Sequence, residues 1–247
     1  MPRLEESHAN LVDRLDEAKE QGWLGEVAAI ETTMAAAAQK LEAMRAPERH
    51  AWGHRPRIGG YRAVVTGSGA RPLLFLDVDG PLIPFGAPSG QYPIYPSDDD
   101  SPAASSNPLL ARVDPGHGPR LTALPCDLVW STTWGAEANE CLSPRLGLPQ
   151  LPVVDWPEPP EYERQDGRDG LHWKTRALVD WAAGLPFAWV DDEITDADRK
   201  WVRTHHRAPA LLQRVDPQHG LVDADYTALA EWLKRLKCIA ADVGVQY

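Results

Sequence analysis

The sequence predicts an α/β protein with a mostly parallel sheet. Short apolar runs recur along the second part of the 247-residue chain, and helical patterns separate them. Strands that alternate with helices need crossover connections, which make the strands parallel and lay the helices over the sheet. The first run, 73–76, is apolar throughout, as expected of a strand buried on both faces, and Asp77 and Asp79 follow it directly.

Four strands and four helices are predicted in chain order. The strands are 73–76, 127–130, 187–190 and 210–215, all short apolar runs. Helices are expected near 135–142, 173–184, 195–204 and 223–237, the last beginning at the N-cap candidate Asp223. The stretches 84–119 and 149–170 are rich in Pro, Gly and Asp, and we expect both to form long loops above the sheet.

Residues 1–46 are predicted to form a helical hairpin that precedes the α/β domain. Apolar residues recur there at helical spacing, Gly22 and Gly25 interrupt the pattern, and Pro47 ends it. Two helices bury little surface by themselves, so the hairpin must dock on the main domain, mediate self-association or stay partly mobile. Residues 47–70 are predicted to be a linker and 71–240 the main domain.

The composition limits the classes of partner. The net charge is −11, and nearly all of it lies after residue 70. Such a charge opposes nonspecific binding to nucleic acid or to an anionic membrane, although a nucleic-acid end stays a candidate substrate because a bound metal can supply a local positive field. No apolar run approaches the ~18 residues of a membrane span. The three cysteines form no CxxC pair and the N-terminus has no signal-peptide pattern, so a cytoplasmic location is predicted.

Four polar motifs follow the predicted strands in order. They are Asp77-x-Asp79-Gly80, Ser131-Thr132-Thr133, Lys174 at the start of a helix, and Asp191-Asp192-Glu193. Each has an ordinary structural explanation: a turn, a strand edge, a solvated helix charge or an N-cap. Together they are more specific, because the carboxyl ends of parallel strands meet at the edge where ligands bind.

This order and spacing resemble the haloacid dehalogenase (HAD) superfamily, whose motifs are DxDG, a strand-end Ser or Thr, a Lys and a strand-end acidic pair. The segments 130–134, 174–175, 188–193 and 215–221 are similar to the HAD domains associated with Swiss Army Knife RNA repair proteins. The resemblance covers roughly residues 72–237 and leaves out the N-terminal hairpin. It implies a Rossmann-like three-layer α/β/α HAD fold with a minimal cap.

The same residues support phosphoryl transfer on physical grounds. A carboxylate that attacks phosphorus forms an aspartyl-phosphate and divides one difficult displacement into two easier ones. Because an anion then attacks an anion, a Mg²⁺ ion with an oxygen shell is required. We expect Asp77 to be the nucleophile, Asp79 the general acid and base, and Lys174 the cation that offsets the negative charge.

The metal is expected to be held by four acidic residues, with Asp79 contributing its backbone carbonyl: Asp77, Asp79, Asp191 and Asp192. Which of the last two contacts the ion directly stays open. Thr132 is expected to donate a hydrogen bond to a phosphoryl oxygen, but a shift of one residue would give that role to Ser131 or Thr133.

The sequence therefore predicts a Mg²⁺-dependent phosphatase. A phosphorylated nucleic-acid end or nucleotide is the substrate that the resemblance and the lack of an evident cap favour. The alternative is a catalytically silent HAD-fold module used for binding or assembly through the N-terminal hairpin. Trp134, Trp156 and Trp173 lie near the motifs, where packing is the first interpretation and stacking on a base or sugar the second.

Overall fold

A four-stranded, all-parallel sheet forms the centre of the chain, with the strand order β2-β1-β3-β4. The computed structural model describes residues 71–87, 92–96, 108–156, 166 and 170–243. The strands are β1 (Leu73–Leu76), β2 (Asp127–Trp130), β3 (Phe187–Asp191) and β4 (Ala210–Arg214). The predicted mixed α/β fold with parallel strands is confirmed, and each predicted strand boundary is correct to within one residue.

Helices connect the strands. A 3₁₀ helix, Pro108–Arg112, precedes α1 (His117–Thr122), and the π-helix Ala138–Leu142 continues into α2 (Ser143–Leu146). On the way from β2 to β3 the chain forms α3 (Thr175–Ala182), and α4 (Asp196–His205) joins β3 to β4. The last helix, α5, is Asp223–Val243.

Helices cover both faces of the sheet because β1 is apolar on both sides. Leu74 and Leu76 belong to an apolar cluster with residues of α1, α2 and α5. Leu73 and Phe75 point the other way and pack with residues of α3 and α4. The alternation of side chains along a strand produces this division, and the apolar run in the sequence is its direct signature.

The register of the strands brings the predicted motifs to one edge. Leu76 is paired with both Trp130 and Val190, the residues that precede the second and the fourth motif. The pairing continues past β1, since the amide of Asp77 donates to Val190 O at 3.0 Å and the amide of Ser131 to Leu76 O at 2.9 Å. The strand order also switches at β1, because β2 lies on one side of it and β3 and β4 lie on the other. Such switch points are where α/β sheets commonly bind ligands.

Several predicted elements need correction. The stretch 84–119 was expected to be a loop throughout, but it contains the 3₁₀ helix and the start of α1. Prolines and glycines within these short helices, among them Pro108 and Gly118, hid the helical pattern. The helix expected at 135–142 is instead the π-helix and α2, and α5 extends past the predicted end at 237.

Other predictions concern residues outside the described ranges. The helical hairpin 1–46 and the linker 47–70 lie there, as do parts of the two segments that bear on cap size. Those predictions stay untested. Among the helices that the structure does describe, none combines the length and the apolar content needed to cross a membrane.

We expect Phe75→Ala to destabilise the fold strongly. Phe75 is fully buried and its ring lies edge-on to Trp181 and Phe187, each with a centroid separation of 5.5 Å. Its removal should lower the free energy of unfolding by about 3–5 kcal/mol. The measurement is urea unfolding followed by tryptophan fluorescence. Val222→Ala, at a side chain that is 44% exposed, is the control and should change stability by at most about 0.5 kcal/mol. Equal losses in the two variants would contradict the assigned core.

Candidate active site

A buried ion triad lies at the carboxyl edge of the sheet. Asp77 directly follows β1, Asp191 is the last residue of β3, and Lys174 immediately precedes α3. Lys174 Nζ lies 2.7 Å from Asp77 Oδ2 and 2.8 Å from Asp191 Oδ2. All three residues are buried, Asp191 completely. The structure therefore brings together three predicted site residues that are separated by up to 114 positions in the chain.

Both carboxylates of the triad are fixed by further hydrogen bonds. The amide of Val78 donates to Asp77 Oδ1 at 2.8 Å. The amide of Glu193 donates to Asp191 Oδ1 at 2.9 Å, and Trp189 Nε1 donates to Asp191 Oδ2 at 3.2 Å. Buried charges are tolerated when they are paired and hydrogen-bonded in this way. The two side chains are consequently held in defined orientations before any ligand binds.

Three carboxylates converge closely enough to hold a metal ion. Asp77, Asp191 and Asp192 each offer an oxygen, and these oxygens lie within 4.8 Å of one another. Gly80 makes room for this cluster, because a Cβ at that position would lie 2.5 Å from Asp192 Oδ1. A set of buried carboxylate oxygens suits Mg²⁺, which prefers hard oxygen ligands. Three of the four residues predicted to bind metal are thus grouped by their side chains.

Asp79, the fourth predicted ligand, directs its carboxylate elsewhere. Its Oδ2 accepts a hydrogen bond of 3.0 Å from the indole Nε1 of Trp134. The prediction for Asp79 concerned its backbone carbonyl, so this contact leaves that part of the prediction open. The side chain is therefore held by the residue that directly follows the second motif, and this contact links the segment after β1 to the loop after β2.

The cluster contains more acidic groups than the one ammonium group of Lys174 can neutralise, and the pKa values of several of the acids are raised. Burial raises the pKa of Asp77 well above its ordinary value, the nearby Asp191 and Asp79 add to this, and Lys174 opposes it. Burial likewise raises the pKa of Asp79, against the hydrogen bond from Trp134. Burial together with Asp191 and Glu193 raises the pKa of Asp192 to about 6. The site therefore favours either protons or an added cation.

The pKa values of Asp191 and Lys174 are shifted in the directions that favour their charged forms. Burial alone would raise the pKa of Asp191, but Lys174, and to a smaller extent His172, outweigh burial and lower it. Burial would lower the pKa of Lys174, yet the two paired carboxylates raise it above its ordinary value. Of the two carboxylates beside Lys174, Asp77 thus has the raised pKa and Asp191 the lowered one.

The three candidate hydroxyls after β2 occupy different environments. Thr132 is fully buried and its Oγ1 accepts a 3.3 Å hydrogen bond from the amide of Trp134, which leaves its own proton free to be donated. Ser131 is also fully buried, and its Oγ has no hydrogen-bond partner within the described part of the chain. Thr133 is exposed. Ser131, Thr132 and Thr133 all stay candidates for the predicted hydrogen bond to a phosphoryl oxygen.

Asp198, which the sequence did not single out, organises the segment around Lys174. Its Oδ1 accepts from the amide of His172 at 2.7 Å and from Thr175 Oγ1 at 2.6 Å, on either side of the lysine. Its Oδ2 accepts from the amide of Thr195 at 2.7 Å and closes the capping box of α4. The Thr195-x-x-Asp198 spacing was an available signal of that cap, but nothing in the sequence indicated its link to Lys174.

His172 is a second residue missed by sequence analysis. Its Nδ1 accepts a 3.1 Å hydrogen bond from the amide of Lys174, so Nε2 carries a proton and donates to Glu193 Oε2 at 3.0 Å. His172, Asp191 and Glu193 also form a group with metal-binding spacing. Since both ring nitrogens of His172 are already hydrogen-bonded, the all-carboxylate group is the better site for Mg²⁺.

The tryptophans near the motifs fix the loops of the site. Besides the bond from Trp134 to Asp79, Trp156 Nε1 donates to the backbone carbonyl of Thr132 at 3.0 Å. The rings of Trp156 and Trp173 pack edge to face with a centroid separation of 4.7 Å. These contacts agree with the packing interpretation of the three residues.

Comparisons with protein-family models, curated proteins and solved structures give no significant match to this chain. Membership of the HAD superfamily therefore stays a prediction from motifs, and the case for a function depends on the geometry of the site.

We expect Gly80→Ala to weaken Mg²⁺ binding. Gly80 has φ +84°, and an added methyl group would collide with the Asp192 carboxylate. Gly184→Ala is the matched control, because Gly184 has φ +86° and nothing lies within 4 Å of its Cβ position. Backbone strain is therefore similar in the two variants. The measurement is the rise in melting temperature with added MgCl₂: Gly184→Ala should keep it and Gly80→Ala should lose most of it. A full shift in both variants would show that Asp192 is not a ligand.

We expect Asp192→Asn to stabilise the metal-free protein at pH 7.5. Because the pKa of Asp192 is raised from 3.8 to about 6, the folded state binds more protons than the unfolded state between these two pH values. Stability therefore falls as the pH rises from about 4 to 6, and the charged side chain then carries a cost of about 1–3 kcal/mol, which the amide avoids. The measurement is urea unfolding in EDTA at pH 7.5 and 4.5. The gain should shrink at pH 4.5, and a variant less stable than wild type at pH 7.5 would contradict the charge imbalance.

Proposed function

We propose that the protein is a Mg²⁺-dependent phosphatase of the HAD type that acts through an aspartyl-phosphate intermediate. The observation that carries this proposal is the meeting of Asp77, Lys174, Asp191 and Asp192 at one strand edge, with Lys174 Nζ between two carboxylates at 2.7 and 2.8 Å. Salt bridges that only stabilise a fold do not need further acids beside them. Here Asp79 and Asp192 add negative charge that one ammonium group does not balance.

Asp77 is the nucleophile in the proposed reaction. One of its carboxylate oxygens forms a bond to phosphorus while the bond from phosphorus to the ester oxygen of the substrate breaks. Lys174 stays beside the attacking carboxylate and offsets part of the negative charge that accumulates on the phosphoryl group. The hydroxyl of Thr132, or of a neighbour in the same motif, donates to a phosphoryl oxygen.

Asp79 moves the proton in both halves of the reaction. Burial raises the pKa of Asp79, which would help it to hold the proton that the reaction requires. Because Trp134 Nε1 donates to Oδ2, that proton would be carried on Oδ1. That proton passes to the departing ester oxygen, which leaves as an alcohol. The resulting carboxylate then accepts a proton from water as the water attacks the aspartyl-phosphate, releasing phosphate and restoring Asp77.

Asp77, Asp191 and Asp192 would hold the Mg²⁺, with the backbone carbonyl of Asp79 as the further expected ligand. The ion would supply positive charge that keeps Asp77 ionised and neutralises the phosphoryl oxygens. The chain itself provides the buried, oxygen-only donor set and the space at Gly80 that this ion requires. Within the proposal, a phosphorylated nucleic-acid end or nucleotide is the substrate class supported by the similarity of the motif segments to RNA repair HAD domains.

We expect Asp77→Asn to abolish phosphatase activity. Purified protein with MgCl₂ should hydrolyse p-nitrophenyl phosphate, and the variant should show no turnover above background because the amide is a poor nucleophile. Glu231→Gln is the control, since Glu231 lies exposed on α5, away from the strand edge, and it should retain wild-type activity. Circular dichroism should show that both variants are folded.

A panel of 3′- and 5′-phosphorylated oligonucleotides, nucleoside monophosphates and sugar phosphates tests the substrate class. Higher kcat/KM for the phosphorylated ends or nucleotides supports the proposal, and preference for sugar phosphates counts against that part of it. If wild-type protein and Asp77→Asn are equally inactive on every substrate, the enzymatic function is rejected and the catalytically silent binding module becomes the better explanation.

A further inference from the structure

A cavity of about 300 Å³ opens at the same edge of the sheet as the carboxylates. Its walls come from the segment after β1, the segment after β4 and the residues around the 3₁₀ helix and α1. The described residues that line it include none of the acids of the ion triad. The proposed chemistry therefore does not account for it.

The cavity and the acid cluster share one wall. Pro81, which lines the cavity, directly follows Gly80, the residue that lies against the Asp192 carboxylate. Backbone hydrogen bonds hold this wall in place, from the amide of Leu221 to Pro81 O at 2.9 Å and from the amide of Phe85 to Pro217 O at 2.8 Å. A ligand in the cavity would thus lie beside the loop that carries Asp77 and Asp79, in a space whose walls are already formed.

Two tyrosines and an arginine define the chemistry of the cavity. Arg112 lies over the ring of Tyr92 at 4.5 Å from its centroid, and Arg112 Nη1 donates to Pro84 O at 2.9 Å. The hydroxyl of Tyr95 is hydrogen-bonded to Asp114. Aromatic and guanidinium planes are the groups on which flat heterocycles stack.

The charge in the cavity argues against a second phosphate site. Arg112 is accompanied by the carboxylate of Asp114, and burial lowers the pKa of His117, whose Nδ1 is hydrogen-bonded to Tyr226 at 2.9 Å. Gln218 adds an amide that can both donate and accept. The cavity therefore presents flat apolar surface with balanced hydrogen-bonding groups, which suits an uncharged heterocycle. Its volume lies at the lower end of the ~300–1,000 Å³ found for small-molecule sites and fits one such group.

We propose that this cavity binds a nucleobase, and that the base belongs to the leaving group of the substrate. The binding of a base stands on the cavity alone, whereas its assignment to the leaving group rests on the proposed phosphatase function. The acids would act on the phosphoryl group while the cavity holds the base, so the enzyme would select nucleotides or nucleic-acid ends over esters that lack a base.

The binding test uses free nucleosides, which contain no phosphate and so do not depend on catalysis. Isothermal titration calorimetry should detect binding of at least one of adenosine, guanosine, cytidine and uridine to the full chain. Tyr92→Leu removes a stacking ring while keeping apolar bulk and should weaken binding roughly tenfold. Ile94→Ala is the matched control, because Ile94 lies on the same segment but is 74% exposed and does not line the cavity. It should bind as wild type does.

Three results of this titration would overturn the proposal: no nucleoside binds, Tyr92→Leu binds as tightly as wild type, or free ribose binds as well as the nucleosides. Circular dichroism of Tyr92→Leu confirms that the variant is folded.

Kinetics test the leaving-group assignment separately. The ratio of kcat/KM for a nucleoside monophosphate to kcat/KM for glycerol phosphate should exceed one in wild type and fall roughly tenfold in Tyr92→Leu. If glycerol phosphate is hydrolysed but nucleosides do not bind and nucleotides are not preferred, the nucleobase site is rejected and the phosphatase function stands. If nucleosides bind with the expected variant pattern but no ester is hydrolysed, the leaving-group role is rejected together with the phosphatase function.

Discussion

The contact of Lys174 with Asp77 and Asp191 is the interaction on which the rest of the site depends. It places one ammonium group between carboxylates from two adjacent strands, at 2.7 and 2.8 Å, in an almost completely buried position. Loss of the lysine would leave two buried carboxylates without a cation beside them, which is among the most costly changes a protein interior can undergo. The position of Lys174 is in turn set by Asp198, which binds the residues on both sides of it.

That arrangement stabilises the fold only in part, because the same pocket contains more acid than the lysine can neutralise. Asp79 and Asp192 lie close by, and the pKa values of Asp77, Asp79 and Asp192 are all raised. A folded protein that keeps such a cluster gives up stability near neutral pH, and a bound divalent cation would restore it. The proposed metal dependence and the proposed instability of the metal-free protein are two consequences of one charge imbalance.

The strands, and the convergence of the acids with Lys174, could be predicted from the sequence because both leave local signals. The run 73–76 shows a strand buried on both faces, and acids placed directly after such strands must emerge at a common edge. Asp198 and His172 were not found, since their roles arise from contacts between α3, α4 and the loops before them. The helices within 84–119 were also missed, because a single turn rich in Pro and Gly has no periodicity to detect. Contacts across the fold, unlike strand ends, leave no pattern in a single sequence.

In the proposed function, the acid cluster and the cavity at the carboxyl edge would bind different parts of a phosphate ester. The acid cluster can hold a cation and a phosphoryl group, but it repels polyanions, and the chain as a whole has a net charge of −11. Attraction through a basic surface is therefore a poor means of selecting a nucleotide or a nucleic-acid end for this protein. The cavity offers another means, because its wall contains Tyr92 and places Asp114 beside Arg112, and stacking and hydrogen bonding to a base gain little from net charge. The loop from Asp77 to Phe85 connects the two, as it contains the proposed nucleophile and proton carrier and forms one wall of the cavity. Substitutions in this loop should then alter specificity and turnover together, whereas changes at Tyr92 should act on specificity.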